Sequence, residues 1–78
     1  MHKSIRWPER MALIPSDVVY MSWPRSGYKV VVAVEVIGEV YHVSDFAGWR
    51  YIRPDGHTGL WDTRKACIEM LIRFWQMH

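Results

Sequence analysis

The stretch Tyr28–Val43, YKVVVAVEVIGEVYHV, decides the fold. From Tyr28 to Val36 every even position is apolar (Tyr28, Val30, Val32, Val34, Val36), while the odd positions mix Lys29 and Glu35 with Val31, Ala33 and Ile37. A period of two, carried by β-branched side chains that are stiff at χ1, favours strand over helix. Gly38 interrupts the run, and a two-residue turn at Gly38-Glu39 predicts a returning strand. In that register Ile37 faces Val40, Val36 faces Tyr41, Glu35 faces His42 and Val34 faces Val43. One face stays apolar throughout, and a slip of one residue would turn every valine of a strand outward.

Outward from this hairpin toward the N-terminus, Asp17–Trp23 alternates and predicts a first strand, joined to the next by a turn at Pro24-Arg25-Ser26-Gly27. Residues 1–15 are expected to form an N-terminal segment in which Trp7-Pro8 opens a short helix over Glu9–Leu13 that Pro15 ends. Toward the C-terminus, Ser44–Gly48 reads as a loop and Trp49–Arg53 as a short strand. Pro54-Asp55-Gly56 supplies fixed φ, tolerance of the second turn position and left-handed φ in turn. The strands on either side should therefore pair, with Arg53 opposite His57, Ile52 near Thr58, Arg50 near Leu60 and Trp49 near Trp61.

Asp62-Thr63 offers side-chain oxygens to the free amides of a helix over residues 63–77, a segment without glycine or proline. Its polar residues Lys65, Glu69, Arg73 and Gln76 recur as one narrow stripe. Cys67, Met70, Leu71, Phe74 and Met77 line one apolar side, and Ile68, Ile72 and Trp75 line another. One sheet needs only one side, so the second is expected to meet Trp7 and Leu13 or to form a homodimer interface through Ile68, Ile72 and Trp75. The expectation is one α+β domain: a four- to five-stranded antiparallel meander sheet over residues 17–61, with one C-terminal helix packed across one face.

With 78 residues, half of them hydrophobic and five of them tryptophan, the chain carries enough aromatic area to build a core without staples. The single cysteine, Cys67, excludes an internal disulfide and a cysteine-rich zinc site. No apolar run reaches the ~20 residues of a membrane span, and MHKSIRWPER lacks the apolar core of a signal peptide, so the expected location is cytoplasmic. A net charge of +2 is mild for a nucleic-acid binder.

Four histidines at no ligand spacing give no reason to expect a metal, and no cofactor fingerprint occurs. His42, Glu35 and Asp45, with Arg50 for a phosphate, sketch an acid-base cluster of the kind a small ribonuclease-type toxin would use. The same residues read more simply as a cross-strand ion pair on a wet face. Cys67, at helical spacing with Leu71 and Phe74, reads as a core residue. The richer set is aromatic and basic: Trp23, Arg25, Trp49, Arg50, Tyr51, Arg53 and His57, with Tyr28 nearby. Rings and guanidinium groups at strand ends and turns are what recognition surfaces use.

Three strands followed by DTRKACIEML resemble the sheet and helix of plant AP2-type domains and phage-integrase arm-binding domains, in which a threonine also opens the helix. The matching stretch is Tyr28 to Trp75. Those families read the DNA major groove from the sheet, which the resemblance would carry over to Arg50 and Arg53; their first strand is basic where this one is rich in valine. The leading expectation is a non-enzymatic intracellular binding protein, of the phage or mobile-element accessory type, that inhibits a host protein or nucleoprotein complex, such as a defence or nuclease complex, by occlusion. A DNA-binding regulator using the arginine and aromatic sheet face is the alternative, and a ribonuclease the second.

Overall fold

The computed structural model describes residues 7–44 and 48–77. Five strands, β1 (Met11–Tyr20), β2 (Trp23–Val32), β3 (Glu35–Val43), β4 (Gly48–Ile52) and β5 (Thr58–Trp61), precede one helix, α1 (Arg64–Gln76). The strands form a single antiparallel sheet in the order β1-β2-β3-β4-β5, with α1 against one face. The expected class and meander are those found; the two long hairpins are not where the sequence placed their turns.

Asp17–Trp23 is not a strand ending in a Pro24–Gly27 turn. The chain reverses at Met21-Ser22, Tyr20 pairs with Trp23, and Pro24 to Gly27 continue β2. Both turn residues have positive φ, 52° and 69°, the signs of a type I′ turn, which matches the twist of the strands it joins. Left-handed backbone costs a residue with a side chain roughly 1–2 kcal/mol, so composition gave no cue to it. The short helix expected before Pro15 is also absent. Glu9-Arg10 form a turn and Met11–Leu13 already belong to β1. Pro15 fits there because β1 is an edge strand.

The central hairpin turns at Ala33-Val34, with positive φ (57°) at the first position, and pairs Val32 with Glu35. Gly38 lies inside β3 instead. Val31 pairs with Val36 and Val30 with Gly38, so Ile37 is the extra residue of a bulge. The reason lies across the layer. A Cβ on Gly38 would run into the Leu71 side chain and come within 2.8 Å of the Ile52 carbonyl oxygen. This glycine lets α1 approach the sheet; it does not turn the chain. With the register moved, Glu35 does not face His42: Glu35 pairs with Val32, and His42 with Trp49.

The C-terminal hairpin is as the sequence indicated. Trp49 pairs with Trp61, Arg50 with Leu60 and Ile52 with Thr58, and the Arg53 amide donates to the His57 carbonyl at 2.8 Å. Thr63 caps α1, its hydroxyl accepting from the Ala66 amide at 3.1 Å.

On the covered face, Val30, Val32, Ile37, Val40 and Tyr51 meet Cys67, Ile68, Leu71 and Ile72. Each side chain fully buried in this way contributes about 1.5–3 kcal/mol. The helix therefore buries as one arc what the sequence divided into two sides. Ile68 and Ile72 are fully buried within the single chain and so belong to its core rather than to a dimer interface, while half-buried Trp75 packs beside them. Leu13 packs against the same cluster, as the N-terminal alternative required, whereas the Trp7 indole reaches the polar stripe and donates to Glu69 at 3.4 Å.

Candidate functional site

The opposite face carries no helix among the described residues. Alternation along the paired strands places Val18 and Tyr20 of β1, Trp23, Arg25, Gly27 and Lys29 of β2, Tyr41 of β3 and Arg50 of β4 on it. Its distal half holds a small second cluster. Val18 is fully buried and seats on Gly27: a Cβ there would stand only 2.8 Å from Val18 Cγ2 and 2.9 Å from Tyr41 Cβ. The missing side chain lets β1 fold inward toward β3, and the Tyr20 and Tyr41 rings come within 6.4 Å of each other, centroid to centroid.

Two arginines lie on these rings. The Arg50 guanidinium carbon is 4.4 Å from the Tyr20 centroid, and that of Arg25 is 5.6 Å from Tyr41. Such contacts stabilise by about 0.5–1 kcal/mol where solvent reaches them and more where it does not. Neither arginine has a carboxylate within ion-pair distance among the described residues; the ion pairs found there both use Asp55. Arg50 Nη1 reaches Thr58 Oγ1 at a long 3.4 Å, while its Nε is sealed from solvent with no acceptor among the described residues. A desolvated donor left unmade costs about 1–3 kcal/mol, and more on a charged group.

Beyond the tyrosines the β1–β2 hairpin projects as an arm. Val19 is 63% exposed, Met21 76% and Trp23 70%, so three large apolar side chains stand in water around one turn. Arg25 is two residues inward from Trp23 on the same strand.

Of the seven partner-binding residues read from the sequence, the fold gathers three here: Trp23, Arg25 and Arg50. Two lie at the β4–β5 turn, bound to one carboxylate. Arg53 pairs with Asp55 at 2.9 Å and covers the Phe74 ring at 4.3 Å, while His57 Nδ1 lies 3.1 Å from Asp55. The His57 backbone amide, with the His57 ring and the Arg53 charge behind it, holds the Asp55 carboxyl below its usual range. The remaining two belong to the covered side. Tyr51 is 7% exposed with its ring 5.8 Å from Phe74, and is a core residue rather than a recognition residue. Trp49 is half-buried between His42, edge-on at 5.5 Å, and Arg64 at 5.7 Å. Tyr20 and Met21 are not among the partner-binding residues read from the sequence because the first turn lies elsewhere than expected, and Tyr41 is not because the expected central turn sets it opposite Val36 on the apolar face, whereas it pairs with Gly27.

The acid-base cluster does not form. Glu35 and His42 stand seven residues apart on one strand, about 23 Å at strand rise, and Asp45 lies outside the described residues. Among the described residues no three His, Cys, Asp or Glu side chains converge. Burial pushes the Cys67 thiol up to about 11. The thiol donates to the Trp49 carbonyl at 3.3 Å, the behaviour of a packed core group. No helix among the described residues is long and apolar enough to cross a membrane.

No family model, no curated protein and no solved structure matches this chain. The likeness to AP2-type and arm-binding domains thus stays one of strand count and helix entry. Of its two carried-over arginines, Arg50 is on the open face and Arg53 is engaged at the turn.

Proposed function

We propose that this chain is a non-enzymatic binding protein that inserts the β1–β2 tip into an apolar recess of a partner protein and lays the arginine-bearing face against an acidic rim around it. The observation that carries this reading is the exposure of Val19, Met21 and Trp23 at one turn, beside Arg25. Three exposed apolar side chains around one turn are costly to leave in water, and tryptophan, tyrosine and arginine are the residue types that dominate binding energy at interfaces. Arg25 and Arg50, free of acidic partners among the described residues and pre-positioned on tyrosine rings, supply the complementary charge. Occlusion is the mode of action that suits such a surface, and inhibition of a host protein or nucleoprotein complex is its sharpest form.

The test is capture from host lysate, with and without nuclease, by the wild-type chain and by Trp23→Ala and Arg25→Ala variants. Trp23→Ala should weaken partner capture at least thirtyfold, a loss of about 2 kcal/mol or more, while leaving the melting temperature nearly unchanged. Equal capture by both variants would overturn the surface assignment. The arginine-on-tyrosine stacks also favour a second reading, binding of nucleic acid to the open face. Under that reading, affinity falls with salt by a logarithmic slope of about 0.7–0.9 per phosphate neutralised, and Arg50→Ala lowers the slope by about one contact. Binding that does not respond to salt would exclude it.

A further inference from the structure

The end of the sheet away from the arm holds a different site. β2 is ten residues long, so its two ends lie about 30 Å apart at strand rise. At the far end a cleft of about 380 Å³ opens between the start of β3, the β4–β5 turn and the last turn of α1. Ile37, Pro54, Phe74 and Trp75 form its apolar wall, and Glu35, Arg53 and Asp55 its polar rim.

The charged groups lining this cleft sum to a net negative charge. Arg53 is spent: its guanidinium is paired with Asp55 at 2.9 Å and occupies one face of Phe74. Glu35 has no cationic partner within 4 Å among the described residues, so the rim carries two carboxylates against one guanidinium. Phe74 and Trp75 lie in the last turn of α1, where the terminal carbonyls of a helix concentrate partial negative charge; among the described residues the Met77 amide turns back, to the Phe74 carbonyl at 3.2 Å. Aromatic walls attract cations through the ring quadrupole as well. An anion would meet Glu35 and the helix terminus, and a purely apolar group would leave that carboxylate unused. The chemistry that fits is an alkyl stem with a cationic head.

We propose that this cleft binds the side chain of an arginine or lysine presented by a partner polypeptide, the stem packing on Trp75 and Ile37 and the head pairing with Glu35. The site shares no residue with the arm, and its occupation is independent of what the arm binds.

The test is a nuclear magnetic resonance titration of the whole chain with a capped alanine pentapeptide carrying arginine at its centre, run beside peptides with norleucine or glutamate there. The arginine peptide should shift the Trp75 indole and the Glu35 and Asp55 amides saturably, with the norleucine peptide at least fivefold weaker and the glutamate peptide silent. Glu35→Lys, at an exposed strand start, should abolish the arginine response while leaving the rest of the spectrum in place. Trp23→Ala should bind the peptide as the wild type does, which separates this site from the arm. Equal shifts from arginine and norleucine peptides would overturn the proposal, as would an unaffected Glu35→Lys variant, shifts confined to the arm, or no saturable shift.

Discussion

The two faces of this sheet use the same residue types for opposite ends. Tyr51 on the covered face and Tyr41 on the open one are both nearly buried, yet Tyr51 packs against Phe74 inside the core, whereas Tyr41 supports Arg25 at the surface. Gly38 and Gly27 make the same comparison. The first admits Leu71 of the helix from one side; the second admits Val18 of the chain's own first strand from the other. Each face is closed by a missing side chain, but among the described residues only one is closed by another layer. A sheet covered on one side draws its stability from that side, and the open side is left to be specified by charge and shape.

The comparison breaks most visibly if the covered face is opened. Leu71→Ala removes a fully buried side chain and should cost about 2–5 kcal/mol, read as a lower denaturant midpoint at unchanged slope. A cost below 1 kcal/mol would mean that the helix is not what holds the sheet. Gly38→Ala should follow at about 1–3 kcal/mol, since the added methyl group forces α1 outward; parity with a surface substitution would show that the helix approaches less closely than described. On the arm, replacing Met21-Ser22 by Asn-Gly should stabilise the chain by about 0.5–2 kcal/mol, because asparagine and glycine accept positive φ readily. A destabilised product would place the reversal elsewhere.

The smallest effect belongs to the β4–β5 turn. The Asp55 carboxyl is held below its usual value when folded, so its contribution is present above the unfolded value of about 3.9 and disappears as pH falls through the lowered one. Asp55→Asn should therefore lower the melting temperature slightly at neutral pH and make the acid limb of the stability profile shallower. An acid limb identical to that of the wild type would show that the turn contributes nothing to it.

What the sequence made legible followed from how locally each feature is determined. Pro54-Asp55-Gly56 and Asp62-Thr63 act within a few residues, and the pairs and cap expected from them are those formed. Gly38 was misread because the need for glycine there comes from Leu71, thirty-three positions along the chain. Met21-Ser22 and Ala33-Val34 were missed because strand twist imposes their backbone against residue preference. The candidate site inherited those errors. Trp23, Arg25 and Arg50 were chosen for their chemistry, and the fold gathers them, but Tyr51 and Trp49 had equal claims until the register decided which face each occupies.

Cys67 gives the molecule a reporter of its own motion. Its sulfur is enclosed between α1 and β4 and donates to the Trp49 carbonyl, so a thiol reagent can reach it only when the helix lifts from the sheet. The rate at which that one group is alkylated under native conditions is then a clock for helix undocking. A partner gripping the arm leaves the clock running, while a basic segment seated beside the end of the helix slows it.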